Sequence, residues 1–108
     1  HCMPKGSPDD IRKIFDAVPN VICEISGATH IHGVKRIVTP EGINSRWLQM
    51  IEDYPDRVMM GTDPCCGLMG RYNEIVQVMR SRALAAMKPE TLEKVAYKNA
   101  LRVFGLPN

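Results

Sequence analysis

Two short apolar runs, each preceded by an amphipathic helical pattern, most constrain the fold of this chain. The first run covers residues 21–25 and the second covers residues 58–60. Short apolar, β-branched runs bounded by turn residues are typical of buried strands. Because alternation of helices and strands predicts parallel strands joined by crossover helices, the sequence predicts an α/β fold.

The helices that precede the two runs have recognisable ends. Ser7 is placed to cap the first helix, and Pro8 suits its first position. Asn44 or Ser45 can cap the second helix, which Pro55 ends just before the second run. Each helix therefore leads directly into a strand.

Two further amphipathic patterns follow the second run. Apolar residues at helical spacing run from Tyr72 to Ala86 and predict a third helix. Pro89 opens a fourth helix, and Gly105 is placed to end it. The segment between Gly27 and Gly42 is predicted to be a long loop.

Asp63 is the first functional candidate because it follows the second strand after Gly61. In parallel α/β folds, polar residues just beyond the carboxyl end of a strand form the active site. The alternative is that Asp63 only caps a turn before Pro64. The position alone leaves both interpretations open.

Composition excludes several classes of protein. The 108 residues suit one domain, and the net charge of +2 comes from scattered rather than clustered basic residues, so we expect no nucleic-acid partner. No apolar stretch is long enough to span a membrane, so we expect no membrane partner. The first residues do not resemble a secretory leader, which favours a cytoplasmic location.

The four cysteines lack the C-x-x-C spacing of a structural zinc site. Cys23 lies within the first apolar run and is predicted to be a small buried hydrophobe in a reducing compartment.

Two strands and a possible strand end at residues 1–3 are too few to cover the apolar faces of four helices. We therefore expect the chain to be part of a longer protein. The alternative is a small α/β domain that completes itself by dimerising. Exposed sheet edges on so short a chain would favour association with further copies or with the rest of a larger fold.

A resemblance to a known family extends over most of the chain. His1 matches a histidine at the end of a sixth strand, residues 19–26 match a seventh strand, and residues 56–63 match an eighth. Residues 99–104 match an Asn-Ala-x-Arg-x-Phe ending. Together these segments resemble the C-terminal part of the amidohydrolase-related metal-dependent hydrolases, in the decarboxylase-like branch of the amidohydrolase superfamily.

The resemblance implies an α/β fold that is the C-terminal portion of a (β/α)8 barrel. Residues 1–108 would form a single partial domain containing about the last three βα units. The family binds a divalent metal, with zinc expected, through a His-x-His pair on the first strand, a histidine on the fifth and an aspartate on the eighth. Of these ligands, the resemblance places only the aspartate in this chain, at Asp63.

The resemblance also implies an activity. Such an enzyme would hydrolyse a small carboxylated or cyclic substrate with metal-activated water, and Asp63 would accept a proton from that water. His1 would polarise the substrate or shuttle a proton. The alternatives are a nonoxidative decarboxylase of the same family, or a non-catalytic fragment or subunit that assembles with other chains. The 108-residue chain alone is expected to be inactive.

Four other residues are candidate substrate contacts. Arg46 begins the helix after the long loop, and Arg71 follows the loop after the second strand, so either could pair with a substrate carboxylate. His30 and His32 have a metal-ligand spacing but lie in the long loop, where the alternatives are substrate contact or no ligand at all.

Two further residues, one of them distant from the expected site, are predicted to be structural. Trp47 is expected to pack in the core, and Asn99 is expected to cap or tie a neighbouring loop.

Overall fold

The computed structural model describes residues 6–26, 37–63 and 69–108. The α-helices are α1 (Pro8–Ala17), α2 (Ser45–Asp53), α3 (Tyr72–Val78), α4 (Pro89–Glu93) and α5 (Asn99–Phe104). The strands are β1 (Cys23–Glu24), β2 (Val38–Thr39), β3 (Gly42–Ile43) and β4 (Val58–Met59). Short 3₁₀ turns cover Pro55–Arg57, Met69–Arg71 and Leu84–Ala86, and π-helical turns cover Met79–Ala83 and Lys94–Lys98.

Strands β1 and β4 form a parallel pair, as the alternation of helices and strands predicts. Cys23 pairs with Val58, and Glu24 pairs with Met59. The Ile25 amide then donates a hydrogen bond to the Met59 carbonyl at 2.9 Å, which continues the pairing past the end of β1. An α/β fold is therefore present in the described residues.

The helix starts follow the sequence signals. Ser7 caps α1 in a reciprocal capping box with Asp10, whose carboxylate accepts a hydrogen bond from the Ser7 amide at 2.8 Å. Asn44 rather than Ser45 caps α2, through a hydrogen bond that its side-chain oxygen accepts from the Arg46 amide at 3.0 Å. Gly105 ends α5 in the left-handed conformation, with a φ of 63°.

One face of the parallel pair forms the centre of the core. Alternate residues of a strand point to opposite faces, and Cys23, Ile25 and Val58 all lie on the buried face. The helices cover this face with apolar side chains, including Ile11, Phe15, Trp47, Met50, Ile51, Ile75, Met79 and Val95. Trp47 is thus a packing residue, as predicted.

The last helical segment lies along the edge of β4 that faces away from β1. In the π turn, the Asn99 amide donates to the Lys94 carbonyl. The Val95 carbonyl instead accepts a hydrogen bond from the Met60 amide at 2.9 Å. The Asn99 side chain donates to the Val58 carbonyl on the same edge at 2.8 Å. The expectation of an exposed sheet edge is therefore wrong for this edge of β4, because the last helix covers it.

A small hairpin lies within the segment that the sequence predicts to be a long loop. Val38 pairs with Ile43 and Thr39 pairs with Gly42 in an antiparallel arrangement. Gly42 has a φ of 137°, which a residue with a side chain rarely adopts, so the glycine permits this tight connection. Residues 27–36 of the predicted loop lie outside the described residues.

Cys23 is buried, with 5% of its surface exposed, as predicted. It is also bonded in a disulfide, so the prediction of a free thiol acting only as a small hydrophobe is wrong. Its partner cysteine lies outside the described residues. Among those residues, no helix is long and apolar enough to cross a membrane.

Candidate functional site

Asp63 lies where the chain leaves β4, as the sequence predicts. Val58 is fully buried, and the following residues become partly exposed as far as Asp63. Asp63 has a φ of 43°, and it is the non-glycine residue with positive φ in the part of the chain that the structure describes. Aspartate tolerates this conformation better than most residues because its short side chain can bond locally.

Glu24 and Ser26 lie at the corresponding end of β1. Their positions alternate with the buried Cys23 and Ile25, so both side chains lie on the face opposite the helical core. The Ser26 hydroxyl donates a hydrogen bond to Glu24 Oε2 at 2.6 Å, and Ser26 is only 8% exposed. The parallel pair thus has one apolar face, which the helices cover, and a second face that carries a carboxylate and a hydroxyl.

Glu24 also contacts β4 beside Gly61. A side chain added at Gly61 would collide with Glu24 Oε1, and its Cβ would lie 2.6 Å from Glu24 Cδ and 3.1 Å from Ser26 Cβ. Only glycine therefore fits at this position while Glu24 keeps its place. The Glu24 carboxylate therefore packs against the β4 chain at a point two residues before Asp63.

The sequence interpretation missed Glu24 and Ser26. The sequence does contain a sign of them, because Glu24 and Ser26 occupy alternate positions at the end of the apolar run that begins at Val21. In a strand this spacing places both side chains on one face.

Asn99 holds the opposite end of β4. It is 2% exposed, and its side-chain amide donates to the Pro55 carbonyl at 2.7 Å and to the Val58 carbonyl at 2.8 Å. Arg102, one helical turn later, donates to the Asp56 carbonyl at 2.6 Å. The structural role predicted for Asn99 is confirmed, since it ties the turn before β4 to the last helix.

Arg57 joins the starts of the two parallel strands. Its guanidinium donates to the carbonyls of Val21 at 2.7 Å, Val18 at 2.6 Å and Phe15 at 3.3 Å. The same group lies 4.6 Å from the centre of the Phe15 ring. These contacts fix the chain that enters β1 against the chain that enters β4.

Arg46 and Arg71, the two predicted substrate contacts within the described residues, form surface ion pairs. Arg46 pairs with Asp9 at 2.5 Å, and both side chains are more than half exposed. Arg71 pairs with Glu74 at 2.6 Å, a hydrogen-bonded contact that raises the pKa of Arg71 and lowers the pKa of Glu74. Whether either arginine also meets a substrate stays a prediction.

The remaining predicted site residues, His1, His30 and His32, lie outside the described residues. Within residues 6–26, 37–63 and 69–108, no group of three or more His, Cys, Asp or Glu side chains is arranged to hold a metal ion. Asp63 nevertheless offers carboxylate oxygens at a strand end, which are suitable ligands for a divalent cation. The described residues thus supply one carboxylate with the chemistry of a metal ligand, and not a complete ligand set.

Comparison with known proteins gives one family match. A family model described as "Amidohydrolase" matches residues 4–106. No curated protein and no solved structure matches the chain.

Proposed function

The chain belongs to the amidohydrolase family, and we propose that it forms the C-terminal part of a metal-dependent hydrolase of the decarboxylase-like branch. The enzyme would act on a small carboxylated or cyclic substrate. The observation that carries this proposal is the position of Asp63 at the exit of a buried parallel strand, within a segment that the family model covers.

The two faces of the parallel pair support a barrel architecture. In a (β/α)8 barrel, helices cover the outer face of the sheet, and the active site lies at the carboxyl ends of the strands. Here the helices cover the face with Ile25 and Val58, while Glu24, Ser26 and Asp63 gather at the carboxyl ends. We infer that the chain supplies about the last three βα units of such a barrel.

Asp63 is the residue of this chain that would hold the metal, together with histidines from the earlier strands of the barrel. A bound divalent metal, with zinc expected, supplies Lewis acidity that activates water and polarises the substrate carbonyl. The Asp63 carboxylate would accept the proton that the attacking water loses. His1 would donate a hydrogen bond to the substrate or transfer a proton to the leaving group.

The experiment that tests this proposal combines metal analysis with activity. The complete barrel protein, expressed from the gene that encodes this chain together with its proposed earlier strands, would be analysed for bound metals by mass spectrometry. It would then be assayed for hydrolysis of small lactones and amides and for CO2 release from aromatic carboxylates. We expect bound metal and hydrolysis, and we expect Asp63→Asn to lose both. Release of CO2 without hydrolysis would favour the decarboxylase.

Asp56→Asn is the matched control. Asp56 lies at the other end of the same strand, is 60% exposed, and pairs with Lys94 on the surface at 3.2 Å. This variant should keep its metal. If Asp63→Asn retained as much metal as the unsubstituted protein, the assignment of Asp63 as a ligand would be wrong.

A further inference from the structure

Glu24 stands out among the described residues because the strand register brings its carboxylate beside the chain that leads to Asp63. Glu24 pairs with Met59, so Ser26 lies at the level of Gly61. The side chains of Glu24 and Ser26 lie on the face away from the helical core. The carboxylate therefore does not contribute to the apolar packing that holds the two strands against the helices.

The contacts of Glu24 hold it in one position. Its Oε2 accepts a hydrogen bond from Ser26 at 2.6 Å, and its Oε1 is shielded from solvent. A Cβ atom added to Gly61 would lie only 2.6 Å from the Cδ atom of Glu24. The carboxylate thus lies directly against the Gly61 backbone, and that backbone cannot shift toward the face of the pair that carries Glu24 without a collision.

Asp63 is two residues beyond Gly61 and has a φ of 43°, a conformation that costs energy for any residue with a side chain. Such a conformation persists only where the surrounding structure determines it. With Gly61 held by Glu24, the direction in which the chain leaves β4 is restricted. The direction of the Asp63 side chain is restricted with it.

We propose that Glu24 is a positioning residue for Asp63, acting through the backbone of Gly61. The carboxylate, oriented by Ser26, fixes the exit of β4 so that the Asp63 oxygens are held toward the carboxyl ends of the strands. This inference rests on the proposed function, in which Asp63 is a metal ligand. Groups that orient a ligand from outside the ligand set typically contribute about 10–100-fold to metal affinity.

Two variants of Glu24 separate positioning from simple electrostatic attraction. Glu24→Gln keeps the size of the side chain and an oxygen that can accept from Ser26, but removes the charge. Glu24→Ala removes the contact with Gly61 altogether. If Glu24 acts by positioning, Glu24→Gln should bind metal as tightly as the unsubstituted protein, and Glu24→Ala should bind it more weakly. If Glu24 acts only through its charge, both variants should lose the same metal affinity.

The first measurement is a titration of the complete barrel protein, which contains the proposed earlier strands as well as this chain, with cobalt chloride. The visible absorption of the bound ion reports the binding. We expect Glu24→Ala to weaken cobalt binding by about 10-fold or more, and Glu24→Gln to stay within about 3-fold of the unsubstituted protein. Glu41→Ala, in the exposed turn between β2 and β3, is the matched control and should not change the affinity. Equal affinities for all variants, or equal losses for both Glu24 variants, would overturn the proposal.

The second measurement does not need a metal. Amide hydrogen exchange of residues 60–63 should accelerate by about 10-fold or more in Glu24→Ala but not in Glu24→Gln, while exchange in α1 and α2 stays unchanged. Unchanged exchange at residues 60–63 in Glu24→Ala would contradict the proposal. If the unsubstituted protein bound no cobalt, the proposed function would fail, and the exchange result would decide the role of Glu24 by itself.

Replacing Gly61 gives an independent check. In a protein that keeps Glu24, Gly61→Ala should clearly lower the melting temperature, because the new Cβ would collide with the Glu24 carboxylate. In the Glu24→Ala background the same change should have a much smaller effect. Equal effects in both backgrounds would show that Glu24 and Gly61 are not coupled, and would overturn the proposal.

Discussion

The two ends of β4 are built from opposite kinds of hydrogen-bonding groups. At the start of the strand, side chains with N–H groups donate to backbone carbonyls: Asn99 to Pro55 and Val58, and Arg102 to Asp56. At its exit, Glu24 Oε2 accepts a hydrogen bond from Ser26 against the chain that leads to Asp63, so this end carries carboxylates. Donors that satisfy buried carbonyls stabilise the fold, while carboxylates have the chemistry to bind a cation or a proton.

The two ends of the strands also differ in role in barrel enzymes. The amino ends of the strands contribute to stability, and the carboxyl ends carry the chemistry. In the function proposed above, one strand of this chain combines both roles within a few residues. The comparison predicts that removing the donors at the start of β4 reduces stability, and that removing the Asp63 carboxylate at its exit changes function more than stability.

Asn99→Ala should cause the largest loss of stability. The change leaves two carbonyls, of Pro55 and Val58, without the buried amide that now serves them. We expect the free energy of unfolding to fall by about 3 kcal/mol, since each unsatisfied buried group costs about 1–3 kcal/mol. Urea denaturation followed by circular dichroism measures this.

Two companion variants sharpen that result. Asn73→Ala, at an exposed position of α3, should change the free energy of unfolding by less than about 0.5 kcal/mol. Asn99→Asp keeps the size of the side chain but loses its donors, so it should be at least as destabilising as Asn99→Ala. A loss below about 1 kcal/mol for Asn99→Ala would break the contrast between the two ends of β4.

Asp63→Asn should have a smaller effect on stability. Asparagine adopts positive φ at least as readily as aspartate, so the backbone at φ 43° is not strained further. We expect the free energy of unfolding to change by no more than about 1 kcal/mol, as measured by the same urea denaturation. A loss as large as that of Asn99→Ala would mean that Asp63 is a structural residue.

Asp53→Asn should have the smallest effect on the free energy of unfolding, and that effect should depend on pH. Asp53, in the last turn of α2, pairs with Arg12 at 2.6 Å, and the pKa of Asp53 is lowered by this contact and by the hydrogen bond from Gln49. Because the folded pKa lies below the ordinary value of about 4, the pair stabilises the fold above that pH. The contribution disappears as the pH falls through the lowered pKa.

The measurement compares Asp53→Asn with the unsubstituted protein at neutral pH and at successively lower pH below about 4. A small difference in unfolding free energy at neutral pH should shrink as the pH is lowered. Both partners are partly exposed, so the contribution is minor even at neutral pH. A difference that stayed constant or grew in acid would show that the pair does not act through the Asp53 carboxylate.

Much of the architecture could be predicted because it depends on local chemistry. The capping residue Ser7, the terminating Gly105 and the strand that leads to Asp63 each carry a signal within a few neighbouring positions. The parallel pairing of β1 with β4 followed from the alternation of helices and strands. The amidohydrolase family also follows from segments spread along the chain.

The missed features depend on contacts between distant residues. The π turn at Lys94–Lys98 keeps an ordinary helical pattern of apolar residues, so nothing local distinguishes it. The position of Glu24 against Gly61 depends on the register of two strands separated by a helix. The disulfide of Cys23 likewise depends on which distant cysteine the fold brings to it.

The hydrogen bond from Met60 to Val95 has a consequence for how the protein is made. Val58 and Asn99, which meet at the same edge of β4, are 41 residues apart in the chain. A chain that grows from its amino end therefore completes β4 well before the helix that covers it, and during that interval the strand edge can pair with other nascent chains. Slowing translation after β4 should increase aggregation, and supplying the last helix early should reduce it.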